Sequence, residues 1–434
     1  MAKRILWANP YCLLDTSSGA SISCRIMLKC LQKAGYDIKI VGATVFDNIK
    51  GISNFGEHWE QILSSNARFV EIEDDGLCHQ LIRTNHTNRN LMTVDEENLF
   101  FEFYRSQLKD FCPDLVMFYG GQALDILIPY EARNLNIPSM AYLVNANYLS
   151  DRWCLDVDAI ITDSVATCNM YKEIMGFNIF AVGKFIKTAD IIALEHKREN
   201  ILFVNPSLEK GSLMVATLAL ILETRRPEIT FEVLESRGNW AQAVELVSER
   251  HFGGKRETLK NVKITPNTSD MKSVYARAKL VLGLSQWWES GSRVLVEAIS
   301  NGIPCLVSDY GGNKEMIGDG GIAIKFPDFV HEPPFNNIVQ LADMEPIIEV
   351  IEKLWDSPEL YSKFSIAGIQ HAYERHAIEA STERLVGLIE QVTEESVDQV
   401  SMSLSYHQRH KHPLAFDATN LKSVTVKQLR NCIP

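Results

Sequence analysis

The sequence lacks the features that mark several common classes of protein. Its nine cysteines include no Cys-x-x-Cys pair, and several lie inside apolar runs, which is typical of reduced thiols rather than of a disulfide framework or a zinc site. No apolar run approaches the roughly 20 residues that span a bilayer. The net charge of −12 argues against a general nucleic-acid surface. Because Met1 to Arg4 lead directly into a predicted strand rather than a signal sequence, we expect a cytoplasmic protein.

The 434 residues suit two domains of roughly 200 residues each, and the first half alternates strands with helices. Arg4 to Ala8 is a predicted strand, Ser21 to Ala34 an amphipathic helix and Asp37 to Gly42 the next strand, which together form a βαβ unit. The first strand-to-helix turn is rich in Ser and contains Gly19, so its backbone can approach a ligand closely. It lacks the Gly-x-Gly-x-x-Gly pattern of dinucleotide-binding oxidoreductases.

The most informative segment runs from residue 285 to residue 312. Its order is loop, helix and apolar strand, with a Gly-Ile-Pro break after the helix. Two carboxylates, Glu289 and Glu297, are separated by seven residues around the predicted helix start, and Arg293 lies one turn before Glu297 on the same face. A helix that begins near residues 290–292 directs its free N–H groups toward the carboxyl edge of a parallel sheet, where a phosphate is stabilised.

This segment resembles the donor-site signature of the family-four retaining nucleotide-sugar glycosyltransferases, in which such a Glu pair is followed by a Gly-x-Pro strand and Asp-x-Gly-Gly. The resemblance implies that Glu289 contacts the donor sugar, that Glu297 contacts the ribose and that amides at the helix start hold the diphosphate. That start is formed by Gly291, Ser292 and Arg293. The family usually has an aromatic residue and then Gly at the first two of these positions.

Two further positions match this family in chain order. Gly19 corresponds to the Gly that faces the donor diphosphate across the cleft. Lys210 follows the predicted strand Ile201 to Val204 in a Glu-Lys-Gly turn and corresponds to a diphosphate-binding Lys. The family's Arg five residues before this Lys is Asn205 here. We therefore expect that contact to be weaker or to be supplied elsewhere, with Arg293 as one candidate.

Three side chains are candidates for contacts with acceptor or sugar hydroxyls. Tyr119 ends the predicted strand Leu115 to Tyr119, and Asn145 and Asn147 follow the predicted strand Ser139 to Val144. The carboxyl ends of both strands should open into one crevice, although ordinary turn chemistry explains these residue types equally well.

Residues 50–95 are polar and turn-rich and are predicted to be an insertion near the acceptor side. His79, His86 and Arg89 lie there without metal-ligand spacing, so we interpret them as solvated loop residues.

An Asp-x-Asp pair, Asp156 and Asp158, invites a different interpretation, because such a pair at a strand end binds Mn²⁺ and diphosphate in the single-domain glycosyltransferase fold. Here the pair opens the predicted strand Ala159 to Ile161 instead of ending one. We therefore predict no metal site.

Taken together, these patterns predict an α/β protein of the GT-B fold, in which two Rossmann-like, doubly wound domains face a central cleft. The predicted parts are an acceptor-side domain (1–184), a donor domain (185–375), a C-terminal helix that crosses back to the first domain (376–395) and a polar tail (396–434).

The predicted function is retaining, metal-independent transfer of a hexose from a nucleoside-diphosphate sugar, with UDP- or GDP-sugars favoured, to a hydroxyl acceptor. Glu289 is the predicted catalytic residue, and no cofactor is expected. The acceptor can be a glycan, a lipid, a protein or a small molecule; peripheral membrane contact and oligomeric state stay open, and no nucleic-acid partner is expected. Two alternatives also stay open: a sugar-nucleotide epimerase of similar fold and a non-catalytic nucleotide-sugar-binding protein.

Overall fold

Two open sheets form the framework of the molecule. The computed structural model describes residues 2–56, 58–64, 66–120, 122–236 and 238–398. Residues up to Thr393 form one compact unit that contains both sheets. The predicted polar tail therefore lies almost wholly outside the described residues. Of the helices in these ranges, none combines the length and apolar character that crossing a membrane requires.

The first sheet has eight strands: β1 (Arg4–Ala8), β2 (Asp37–Ala43), β3 (Phe69–Asp74), β4 (Leu77–Ile82), β5 (Leu115–Phe118), β6 (Ser139–Leu143), β7 (Ala159–Thr162) and β8 (Ile179–Ala181). Their spatial order is β3-β4-β2-β1-β5-β6-β7-β8. All neighbours are parallel except β3 and β4. Strands β5 and β6 are buried along their whole length, which explains why β5 is a continuous apolar run and β6 is apolar after its first residue, Ser139.

The second sheet has six parallel strands: β9 (Asn200–Val204), β10 (Thr230–Leu234), β11 (Val262–Thr265), β12 (Ala278–Gly283), β13 (Cys305–Ser308) and β14 (Gly321–Ile324). Their order is β11-β10-β9-β12-β13-β14, a doubly wound arrangement. The direction of winding reverses between β9 and β12, and in the first sheet between β1 and β5. Open α/β sheets bind ligands outside the carboxyl ends of strands at such points.

Helices cover both faces of each sheet. They are α1 (Gly19–Lys33), α2 (His58–Ser64), α3 (Val94–Phe111), α4 (Ala123–Asn134), α5 (Val165–Met175), α6 (Ser212–Arg225), α7 (Trp240–Phe252), α8 (Met271–Arg277), α9 (Arg293–Ser300), α10 (Asn313–Ile317), α11 (Leu341–Asp356), α12 (Pro358–His376) and α13 (Ile378–Asp398). On the first sheet, α3, α4 and α5 share one core cluster, and α1 and α13 share the other. On the second, α6, α7 and α11 pack on one face and α8 and α9 on the opposite face. The predicted α/β, doubly wound architecture is confirmed.

The C-terminal helix α13 returns to the first sheet. Leu385 and Ile389 are fully buried in the same core cluster as Ile5 of β1. The hydroxyl of Tyr36, before β2, donates to Glu390 at 2.6 Å. The chain thus crosses between the sheets twice, and the residue bounds predicted for the two domains stay a prediction.

The interpretation of residues 50–95 as a solvated insertion is wrong in two respects. Strands β3 and β4 extend the first sheet, since β4 pairs in parallel with β2. His79 is fully buried on β4, with Nε2 3.6 Å from an oxygen of Asp74, and Arg89 is buried and ion-paired; His86 is exposed as expected. The strands escaped notice because their patterns are only partly apolar. The edge strand β3 alternates exposed with half-buried residues, and in the neighbouring β4 a polar His occupies one of the buried positions.

Candidate functional site

A cavity of about 410 Å³ lies where the carboxyl edges of the two sheets face each other. This volume is in the range of small-molecule sites, about 300–1,000 Å³. Both points of winding reversal contribute to its wall, through Tyr119 after β5 and Asn205 after β9. The other lining residues used below are Ser18, Gly19, Asn145, Lys184, Lys210, Ser285, Trp287, Glu289, Gly291, Ser292 and Arg293.

The centre of the second-sheet wall is an ion pair between Lys210 and Glu289. Lys210 ends a single helical turn after β9, and its ammonium contacts Oε1 of Glu289 and lies 5.0 Å from the ring centre of Trp287. Ser285 Oγ and Trp287 Nε1 donate to the same carboxylate oxygen, at 2.9 and 2.8 Å. Burial raises the pKa of Glu289, but the charge of Lys210 and these hydrogen bonds outweigh it, so the pKa lies below its ordinary value. Glu289 is therefore a buried, ionised carboxylate.

The Gly-Gly pair after β13 holds the Glu289 loop in place. The N–H of Gly312 donates to the carbonyl of Glu289 at 2.6 Å. Gly311 has φ +75°, and a Cβ there would lie 2.3 Å from the same carbonyl oxygen. Only glycine permits so close a backbone approach, so the Asp-x-Gly-Gly motif positions the carboxylate rather than contacting a ligand with a side chain.

Arg293 and Glu297 lie one turn apart on the same face of α9, as predicted, and form an ion pair with Nη2 3.0 Å from Oε1. Arg293 also donates to Ser23 Oγ of α1 at 3.3 Å and to the carbonyl of Phe185 at 3.0 Å, so it ties α9 to elements of the first sheet. The hydroxyl of Tyr275 donates to the other oxygen of Glu297 at 2.8 Å. Arg293 lines the cavity, but Glu297 lies behind it and is not part of the lining.

Two helix N-termini reach the cavity. Helix α9 begins at Arg293 with Ser292 as its N-cap, which confirms the predicted start near residues 290–292. Helix α1 begins at Gly19 after the N-cap Ser18. Gly19, Gly291 and Ser292 all line the cavity. Since the first N–H groups of a helix lack partners within it, both ends favour an anionic ligand.

The structure divides the predicted acceptor-side residues. Tyr119 and Asn145 line the cavity, whereas Asn147 does not. The N–H of Asn147 instead donates to Oδ1 of Asn145 at 3.0 Å, and the carbonyl of Asn145 accepts from Tyr171 at 2.7 Å. Asn147 therefore supports the turn that presents Asn145.

The sequence interpretation missed one charged pair in the first-sheet wall. Lys184 lines the cavity although it is only 5 % exposed, and its ammonium is paired with the buried carboxylate of Asp163. Both residues come within three positions of a strand end, Asp163 after β7 and Lys184 after β8. A charged residue directly after an apolar strand, at the cleft edge, was the signal that could have identified them.

Asp156 and Asp158 lie away from the cavity, at the start of β7, as their position in the sequence predicted. Asp156 pairs with Arg133 at 3.1 Å, and Asp158 accepts from the N–H of Ser139 at 2.8 Å. In the part of the chain that the structure covers, no three His, Cys, Asp or Glu residues are grouped to hold a metal ion.

The architecture is that of the GT-B fold, as solved structures of glycosyltransferases show. A glycosyltransferase from Rickettsia africae ESF-5 superposes with a TM-score of 0.61 at 13% identity, over 90% of this chain and 98% of that one. Sucrose-phosphate synthase from Thermosynechococcus elongatus gives 0.63 at 12% identity, over 90% and 99%. HepE from Anabaena, in complex with UDP and glucose, gives 0.62 at 12% identity, over 90% and 100%. The predicted fold is confirmed.

At the level of sequence, the family model of the glycosyl transferases group 1 matches residues 251–371. The match spans α9, the Glu pair and the Gly-Gly turn, which belong to the second sheet. Among curated proteins, none matches the chain in sequence.

Proposed function

We propose that this protein is a retaining glycosyltransferase that moves a hexose from a nucleoside-diphosphate sugar to a hydroxyl acceptor. The observation that carries the proposal is the Lys210–Glu289 pair beside the start of α9, in a cavity at the carboxyl edges of both sheets. This arrangement places a cation, a carboxylate and free helix amides within one small-molecule site. Such a set matches a ligand that has a diphosphate and a hydroxyl-rich ring.

The leaving diphosphate gains negative charge as the glycosidic bond breaks. Lys210, Arg293 and the amides at the start of α9 would stabilise that charge in place, without a metal ion. Solvent is largely excluded there, because Glu289 is only 8 % exposed and Gly291 is buried. The same electrostatic contacts are worth more in such an environment than in water.

The acceptor enters from the first-sheet wall in this proposal. Tyr119 and Asn145 line that wall, and their side chains carry a hydroxyl and an amide, which are groups suited to acceptor hydroxyls. With no second carboxylate assigned as a nucleophile, retention would follow a front-face path, in which the departing phosphate oxygen takes the acceptor proton. Glu289 would orient the sugar by accepting hydrogen bonds from its hydroxyls.

Contacts between the two sheets' elements support a cleft that excludes water during transfer. The carboxylate of Glu315, on α10, accepts from the N–H groups of Val165 and Ala166 at the start of α5, at 3.0 and 3.1 Å. Trp288 Nε1 donates to Thr167 Oγ1 at 3.0 Å on the same helix. A closed cleft keeps water from competing with the acceptor.

A transfer assay tests the proposal. Purified protein is incubated with labelled UDP-, GDP-, TDP- and ADP-sugars and a panel of glycan, lipid and small-molecule hydroxyl acceptors, and glycosylated products are measured. We expect one donor family to react and Glu289→Ala to abolish product while the thermal unfolding temperature shows a folded protein. Wild-type transfer by folded Glu289→Ala would refute the role of Glu289.

The two alternatives predict other products. A sugar-nucleotide epimerase would convert the donor without any acceptor, so an epimer or glycal in acceptor-free reactions would replace the transferase proposal. A binding protein would shift its unfolding temperature with one nucleotide sugar yet yield neither product nor hydrolysis across the panel.

A further inference from the structure

The proposed function assigns no role to the buried ion pair of Lys184 with Asp163, although Lys184 lines the cavity. Lys184 is 5 % exposed and Asp163 1 % exposed, yet Lys184 is part of the cavity lining. A Lys ammonium is strongly hydrated, so its removal from water is costly unless its partners replace that hydration. Its placement at this wall calls for a physical reason.

Three neighbouring strand ends build the site around this ammonium. Tyr142 is in β6, Asp163 follows β7 and Lys184 follows β8, and these strands are adjacent and parallel. One carboxylate oxygen of Asp163 accepts from the hydroxyl of Tyr142 and the other pairs with Lys184. The N–H of Val182 donates to the carbonyl of Thr162 at 2.9 Å, which keeps the two strand ends together. Lys184 is therefore held in a fixed direction.

The stem of Lys184 packs directly against the start of α9. A Cβ added at Gly291 would lie 3.1 Å from Cε of Lys184 and 3.1 Å from Cβ of Asp163. Gly291 immediately precedes Ser292, the N-cap of α9. An anion bound at the start of α9 would thus lie beside the ammonium of Lys184. The missing side chain at Gly291 is what lets the two elements approach.

The charge balance of the cavity favours a role for this ammonium. Lys210 is paired with Glu289, and Arg293 is shared among Glu297, a hydroxyl and a backbone carbonyl. Lys184 is likewise paired with Asp163, so each of these three cations meets the negative charges of a nucleoside diphosphate in competition with its own carboxylate. The three together supply more positive charge to the ligand than the two second-sheet cations alone. A buried ion pair also contributes little to stability compared with apolar residues of equal volume. Ligand binding accounts for a Lys at this position better than stability does.

We infer that Lys184 is a second diphosphate-binding cation, supplied from the first-sheet wall opposite Lys210. This inference rests on the proposed function, because it takes the ligand to be a nucleoside diphosphate or its sugar conjugate. Since Lys184 and Lys210 belong to opposite walls, binding of the diphosphate draws on both sheets. Contact of the diphosphate with both lysines thereby couples donor binding to closure of the cleft.

The test measures binding by isothermal titration calorimetry with UDP, GDP, TDP and ADP and with the four matching nucleosides. The variants are Lys184→Met combined with Asp163→Asn, which leaves no unpaired buried charge, and Lys184→Arg, which keeps the cation. Lys187→Met is the matched control, because Lys187 lies three residues further on and its side chain is 56% exposed. Thermal unfolding establishes that each variant is folded.

We expect the double variant to bind the preferred nucleoside diphosphate about 10- to 100-fold more weakly, as loss of a charge-assisted hydrogen bond implies. The matching nucleoside should bind unchanged, and Lys184→Arg and Lys187→Met should stay close to wild type. Equal diphosphate affinity in the wild type and the folded double variant would overturn the role of Lys184 and leave the proposed function intact. If the wild type binds none of the four diphosphates, the proposed function fails, and this inference with it.

Discussion

Glu289→Gln should raise the affinity for a free nucleoside diphosphate while it lowers the rate of sugar transfer. In the absence of ligand, Lys210 is paired with Glu289, so a diphosphate must draw the ammonium away from a carboxylate. The amide of Gln keeps an oxygen that can accept from Ser285 and Trp287, but it no longer competes for the cation. The same change removes the ionised acceptor that we assign to the sugar.

The size of the affinity gain follows from the burial of the pair. The side chains of Lys210 and Glu289 are 21% and 10% exposed, so their pair lies between a surface ion pair and a buried one. Exposed pairs contribute about 0.2–1 kcal/mol and charge-assisted hydrogen bonds about 1.5–3 kcal/mol. An intermediate value of about 1–2 kcal/mol corresponds to a gain of about 5- to 30-fold. Transfer should fall by on the order of 100-fold or more, the usual effect of removing one group that orients the reacting centre.

Calorimetry with the nucleoside diphosphate and a labelled-donor transfer assay measure the two effects. Glu209→Gln is the control, since Glu209 directly precedes Lys210 but does not line the cavity. It should change neither quantity by more than about twofold, because the half-buried Glu209 lies outside the cavity and its charge is partly screened by water and salt. Weaker diphosphate binding by a folded Glu289→Gln variant would refute the argument, since it would mean that Lys210 does not have to leave Glu289.

Three further predictions concern the surroundings of the site. Gly291→Ala should destabilise the fold by about 1–3 kcal/mol in urea unfolding, because its Cβ would lie 3.1 Å from three side-chain atoms. The control is Gly387→Ala on α13, where a Cβ would have nothing within 4 Å, so this change should be neutral or stabilising. Glu315→Gln should weaken the contact with α5. A larger radius of gyration of the variant in solution scattering would show this, and an unchanged radius of gyration would contradict it. Burial, and then the charge of His371, lowers the pKa of His376 to about 4. In the unfolded chain a His takes up its proton near pH ~6.5. The free energy of unfolding should therefore fall as the pH is lowered from ~6.5 to ~4, by at most about 1.4 kcal/mol per pH unit. A folded His376→Gln variant should show a flatter decline of this free energy with pH.

The start of α9 was predictable because local signals agree there. An apolar strand, a Ser-Gly-Ser turn and an amphipathic run each indicate the same boundary, and Ser292 is the N-cap. The placement of Arg293 and Glu297 on one face of α9 followed from helical periodicity alone, whereas their ion pair was not predicted. Both predictions depend on residues close together in the chain.

The rest of the site depends on contacts that a sequence pattern does not contain. Lys210 and Glu289 are 79 positions apart, and their pairing depends on how the turn after β9 meets the loop after β12. Glu297 has the spacing of a ligand-binding acid, but Tyr275 of the preceding helix occupies one of its oxygens and the cavity does not reach it. Its predicted contact with a ribose stays a prediction. Burial of a charged side chain is decided by its neighbours in space, which is also why Lys184 passed unnoticed.

The pairing of cavity cations with carboxylates also bears on which ligand the site should prefer. When a diphosphate takes Lys210 from Glu289, the carboxylate keeps two hydrogen bonds but loses its counterion inside a buried site. A sugar attached to the diphosphate can repair that loss, because its hydroxyls donate to the carboxylate. A nucleoside diphosphate alone cannot. The intact nucleotide sugar should therefore bind more tightly than its diphosphate, and Glu289→Gln should reduce that preference, since the neutral amide loses no counterion when Lys210 moves.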